Sequence, residues 1–151
     1  MLIEIKVKVA RIIDSKTRKR IETFLIDKEV FAEAEYAVTT SLVQEQELGT
    51  IEDFEIQSLK ISSIKEICEE TMPGSAFTFI ATLKDIFHDD EGNEKVLKYK
   101  VLLWANDLTQ ANQRTHQLAR EGYDMQIEGI KQVEYEYLTE HNNEQAPETN
   151  E

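Results

Sequence analysis

Residues 87 to 95 read FHDDEGNEK and collect one histidine, four acids, an asparagine and a glycine. Carboxylate and carbonyl oxygens at this density are ligands for calcium or magnesium, so the stretch has the composition of a cation loop. Its register argues otherwise. With Gly92 in the sixth place of a calcium loop, Phe87 takes the first and Lys98 the twelfth, where carboxylates are required. Asp, Asn and Gly are also the residues that tight turns use, and as a turn the stretch needs no metal.

A second stretch, DSKTRKR at 14 to 20, brings together Lys16, Arg18, Lys19 and Arg20, the main concentration of positive charge in the chain. A basic hairpin of this kind can grip a phosphate backbone. The neighbouring acids blunt its potential over a Debye length of about 8 Å, so a solvated turn is the competing reading. Opposite charges on 14–20 and 87–95 also permit a contact between two copies.

Cys68 is followed by Glu69 and Glu70, which should raise its pKa, whereas a nucleophilic thiol needs positive neighbours. His88, His116 and His141 are not at metal-ligand spacing. The chain shows no glycine-rich phosphate loop, serine elbow or zinc pattern. The reading is a non-enzymatic protein with no catalytic residue, no metal and no cofactor.

The elements that must position these residues are written twice. IEIKVKV at 3 to 9 alternates Ile3, Ile5, Val7 and Val9 with charged residues, as a strand with one buried face does. FIATLKD at 79 to 85 repeats the layout with Phe79, Ala81 and Leu83. Each runs through a polar turn into a second strand, IETFLI (21–26) or LKYKVLL (97–103), so each half opens with a hairpin.

A helix follows in each half. Phe31, Ala34, Val38 and Leu42 form the stripe in the first, and Leu108, Ala111, Thr115 and Ala119, helped by Leu118, match it in the second. Asp107 with Gln110 predicts a capping box, Gly122 a left-handed C-cap, and Val30 a poorly capped start. A long strand closes each half, FEIQSLKISSIKEI (54–67) or MQIEGIKQVEYEYL (125–138), with a β-bulge expected at Ser58 and Gly129, where the apolar phase slips.

The prediction is an α+β fold of two ββαβ repeats in tandem, related by a pseudo-twofold. It has about six strands, mostly antiparallel, with two helices on one face. The first unit covers 1–67, a linker 68–76, the second unit 77–138, and a disordered acidic tail 139–151, all forming one compact domain. The tail, TEHNNEQAPETNE, has four Glu, no Lys or Arg and no large apolar residue.

Several stretches together resemble a family of short acidic proteins from Bacteroidota and their phages, known only as a domain of unknown function. They are LIEIKVKV, FAEAEYAV, FEIQSLKISSIKEI, EGNEKVLKYKVLLWANDLTQANQ and YDMQIEGIKQV, within residues 2 to 138. The resemblance implies this fold and a bacterial or phage origin, and it brings no catalytic residues. Val30 stands where that family often has serine before the first helix.

Thirty acids against seventeen bases in 151 residues give a net charge of −13, which disfavours general binding to nucleic acid or anionic membranes. No apolar run approaches the ~18 residues of a membrane span, and the start lacks a signal-peptide pattern, so the expected location is cytoplasmic. On the sheet face away from the helices the first half should present Glu4, Lys6, Lys8, Thr23 and Asp27. The second should present Ile80, Thr82, Lys84, Lys100, Leu102 and Trp104.

The stickier second face, with Ile80, Thr82, Leu102 and Trp104 at its centre, is the candidate for docking a protein partner or a second copy as a homodimer. The alternative is a phage-type protein that binds single-stranded nucleic acid, using the basic hairpin, stacking by Trp104 and Tyr99, and the acidic tail. A third reading is an acidic mimic of nucleic acid that inhibits a host or defence protein.

Overall fold

The computed structural model describes residues 1–120 and 125–139. The expected C-cap at Gly122 and nearly all of the predicted tail lie outside them. In chain order the elements are β1 (Leu2–Ile13), β2 (Lys16–Asp27), α1 (Phe31–Leu48), β3 (Ile51–Ile61), β4 (Ile64–Ile67), a single 3-10 turn (Glu69–Thr71), β5 (Phe77–His88), β6 (Glu94–Ala105), α2 (Leu108–Arg120), β7 (Gln126–Val133) and β8 (Tyr135–Leu138). The fold is α+β with two mostly antiparallel four-stranded sheets, ordered β3-β1-β2-β8 and β4-β6-β5-β7.

Two compact units result. The first takes Met1–Ser62 and the described residues from Tyr135, and the second those of Ser63–Glu134. In the first unit the β1–β2 hairpin pairs antiparallel with β3 through β1, and β8 joins β2 in parallel. In the second, β5–β6 pairs antiparallel with β7 through β5, and β4 joins β6 in parallel.

The predicted closing strands over 54–67 and 125–138 are therefore each two strands, and the described strands number eight rather than about six. The break is a change of sheet. β3 pairs with β1 as far as Ile61, whereas β4 pairs with β6 of the other sheet from Ile64. Ser62 closes the β1–β3 ladder with its N–H on the Leu2 carbonyl, and the chain then leaves for the other sheet.

The expected bulges are present. Against Lys6 and Val7, β3 offers Ser58 and Ile56, leaving Gln57 as the extra residue. Against Thr82 and Leu83, β7 offers Gly129 and Ile127, leaving Glu128.

Each sheet carries its own helix on one face, so there is no shared face bearing both. Ile3, Ile5, Val7, Val9, Phe24 and Ile26 pack against Ala34, Val38 and Leu42 of α1. Phe79, Ala81, Leu83, Val101 and Leu103 pack with Ala111 of α2. Phe31 and Leu108, predicted in the stripes, are instead exposed in the first turns. Thr115 is fully buried and donates its hydroxyl to the Ala111 carbonyl at 2.8 Å.

Asp107 accepts from the Gln110 N–H at 2.8 Å, and the Gln110 side chain accepts from the Asn106 N–H at 2.7 Å, so the capping box reaches one residue further back than expected. The 68–76 segment is tied to β6 and α2. The Trp104 N–H donates to Thr71 Oγ1 at 2.9 Å, and Arg114 donates to the Trp104 carbonyl at 2.6 Å and to Ser75 Oγ at 2.9 Å. Among the described residues no helix is long and apolar enough to cross a membrane.

α1 ends on Gly49 at φ 81°, whose N–H reaches the Gln46 carbonyl, but it begins on Val30, extended and without a side-chain cap. An Asp at Val30 can accept from the free amides of the first turn and complements the helix dipole. Val30→Asp is expected to stabilise the chain by about 0.5–2 kcal/mol, read as a raised urea midpoint with an unchanged slope.

Candidate functional site

The 87–95 stretch closes on itself. Asp89 Oδ1 accepts from the Glu91 N–H at 3.0 Å and the Asn93 N–H at 2.8 Å, while Gly92, at φ 81°, donates to the Asp89 carbonyl. The carboxylate that a cation would need first is already organising the turn. Among the described residues no three His, Cys, Asp or Glu side chains converge where an ion could sit. Cys68 is buried, and desolvation, reinforced by Glu70 and Glu66, pushes its thiol up to about 12.

The first hairpin turns more tightly than the sequence predicts. Asp14 and Ser15, at φ 53° and 66°, are its whole loop, the pattern of a two-residue type I′ turn. Lys16, Arg18, Lys19 and Arg20 are therefore strand residues on β2, and strand alternation separates them. Lys16, Arg18 and Arg20, opposite Ile13, Arg11 and Val9, lie on the face that carries α1; Lys19, opposite Ala10, lies on the other. Arg20 is neutralised by Glu22 at 2.7 Å. Lys16, Arg18 and Lys19 have no ion pair among the described residues.

The predicted partner face of the second unit is not an exposed apolar patch. Leu102 is 0% and Trp104 8% accessible, and Ile80 and Thr82 are half-buried. Residue alternation predicts which way a side chain points and is silent on whether that face is covered. Tyr99, the other expected stacking residue, is half-buried, with its hydroxyl donated to Glu66.

Exposed apolar residues stand on both units, in the second along the β5–β6 hairpin at Ile86, Phe87, Val96 and Leu97, and in the first on the sheet face away from α1. There β1 presents Lys8, Ala10 and Ile12. Ile21, Lys19 and Thr17 stand opposite them on β2, and Glu55 and Asp53 stand opposite Lys8 and Ala10 on β3. Ile21 is 54% and Ile12 38% exposed. Ala10, small and flanked by Asp53 and Lys19, leaves a depression of about 210 Å³ lined by Lys8, Ala10, Lys19, Asp53, Phe54 and Glu55. One wall is cationic, the other anionic, and neither Lys8 nor Lys19 is ion-paired among the described residues. Of these, the sequence singles out Lys19 in the basic stretch and Lys8 on this face; the further signal was Ile21, an apolar residue on the face where Thr23 is polar.

On the α1 side the hairpin carries a charge cluster. Arg11 donates to Glu22 at 2.7 and 2.8 Å and to Glu45 of α1 at 2.9 Å, clamping the helix end to the sheet. Burial disfavours the charged form of Glu22, but Arg11 and Arg20 outweigh it and hold the carboxyl below its usual range. Glu136 of β8 shares the neighbourhood with the opposite result. Desolvation, then Glu45 and Glu22, raise its carboxyl above the usual range against the pull of Arg11.

The two acids therefore bias stability in opposite senses. The depressed Glu22 contributes stability above the ordinary carboxylate range that is lost as pH falls. The raised Glu136 favours the folded chain at low pH and loses that contribution as pH rises through its folded value. At neutral pH, Glu22→Gln is expected to cost about 1.5–3 kcal/mol, the scale of hydrogen bonds to charged groups, and Glu136→Gln to stabilise. Both differences should vanish in acid, measured by urea unfolding from pH 3 to 8.

No curated protein and no solved structure matches the chain. A family model described as "Domain of unknown function (DUF4494)" matches residues 1–142. The match covers both sheets and both helices, and the chain belongs to that family.

Proposed function

We propose that this chain is a non-enzymatic binding protein of bacterial or phage origin that docks a protein partner on the first unit, on the β3–β1–β2 face away from α1. The observation that carries the reading is the joint exposure of Ile12 and Ile21 beside the unpaired cations Lys8 and Lys19 around an open depression. Apolar anchors with a polar rim are the anatomy of a protein contact. Phosphate-backbone binding needs clustered cations and, for single strands, exposed aromatic faces. Here alternation divides the cations between two faces, Trp104 is buried and Tyr99 is occupied.

The reading relocates the contact from the Ile80, Thr82, Leu102 and Trp104 face to the opposite half of the chain. It keeps the class of function and changes its surface. A depression of about 210 Å³ is smaller than the ~300–1,000 Å³ of typical small-molecule sites and suits a single side chain from a partner.

Anisotropy of a labelled single-stranded oligonucleotide, titrated with the chain across a salt series, separates protein from nucleic-acid binding. No binding is expected near physiological salt. Tight binding that weakens steeply with salt and is lost in Lys16→Glu/Arg18→Glu would establish the nucleic-acid reading instead.

A further inference from the structure

We infer that the partner seated in this depression is a second copy of the chain, with Tyr36 of α1 as the side chain that enters it; the inference rests on the docking face proposed above. The outward face of α1 is unusual for a surface helix. Tyr36 is 74% exposed, and Val43, two turns on, is 38% exposed. The helix carries Glu33, Glu35, Glu45 and Glu47 and no Lys or Arg. Only Glu45, on the inner side, is ion-paired among the described residues. A helix facing only water would show a polar outer face.

The two surfaces complement each other. The depression offers Lys8 and Lys19 as unpaired cations, and α1 offers Glu33 and Glu35 as unpaired acids beside Tyr36. A cavity of about 150 Å³ takes benzene, so about 210 Å³ takes a phenol ring. The ring would rest on Ala10, its hydroxyl donating to Asp53 or Glu55 on the anionic wall, while Glu33 meets Lys19 on the cationic one. Tyrosine suits this role because its body is apolar and its tip is a hydrogen-bond donor.

Topology requires two molecules. α1 packs on the face of the sheet that bears Ile3, Ile5, Val7 and Val9, and the depression opens on the other face of the same strands. Tyr36 therefore cannot reach the depression of its own sheet. Because α1 and the depression face opposite ways on one unit, the contact is head-to-tail and adds copies one after another.

Sedimentation equilibrium of the full chain tests this. The chain is expected to self-associate with a salt-sensitive Kd, and Tyr36→Ala to weaken it at least about tenfold, as a buried tyrosine anchor does. Tyr36→Phe should lie between the two, because it keeps the ring and loses the hydroxyl. Lys19→Glu should also weaken association, and mixing it with Glu33→Lys should restore it, because each contact between unlike copies again pairs opposite charges.

Tyr36 is exposed, so its variants should keep the wild-type circular dichroism and unfolding midpoint. A chain that stays monomeric at about 100 µM, or a Tyr36→Ala variant that associates like wild type, would overturn the inference. If such a monomer still bound another protein and lost it on Lys19→Glu, the docking face would stand and only the second copy would be wrong.

Discussion

The burial of Ile3, Ile5, Val7 and Val9 beneath α1 is the constraint from which the rest of the first unit follows. Successive side chains on a strand point to opposite faces, so committing these four to the core commits Lys8, Ala10 and Ile12 to the other side. Pairing with β2 and β3 then delivers Lys19, Ile21, Asp53 and Glu55 to the same side. A slip of one residue would empty the core and close the depression together. The core therefore enforces the geometry of the depression.

The same alternation places Arg11 on the α1 side, one step past the last core residue. There it joins Glu22 of β2 to Glu45 of the helix. This clamp sits where the core ends and the hairpin continues as two strands, since β3 follows β1 only as far as Arg11. Glu136 enters the neighbourhood from β8, the short strand that reaches the first unit after β7 has finished in the second. The acidic side of the cluster thus bears on the parallel strand that completes the sheet.

Much of this architecture was legible in the sequence, for identifiable reasons. The alternation in IEIKVKV and FIATLKD, the helix stripes through Val38 and Ala111, and the phase slips at Ser58 and Gly129 are local patterns with local causes. The division of the closing strands was harder to see, because alternation runs on from Ile61 to Ile64 and does not mark the change of sheet between them. The cover over the predicted partner face was hidden for a different reason. Leu102 and Trp104 do point away from α2's core, but their burial depends on packing that no periodicity encodes. The basic tip dispersed because a two-residue turn drew its cations into the strand.

Membership of a family described only as a domain of unknown function places the weight of the functional reading on the surface of this chain. That reading turns on which half carries the contact, and photo-crosslinking decides it. With a benzophenone side chain installed at Ile21 or, separately, at Ile80, the account predicts a covalent adduct of the native chain from position 21 and none from position 80. An adduct from 80 with none from 21 would return the contact to the second unit and contradict the account.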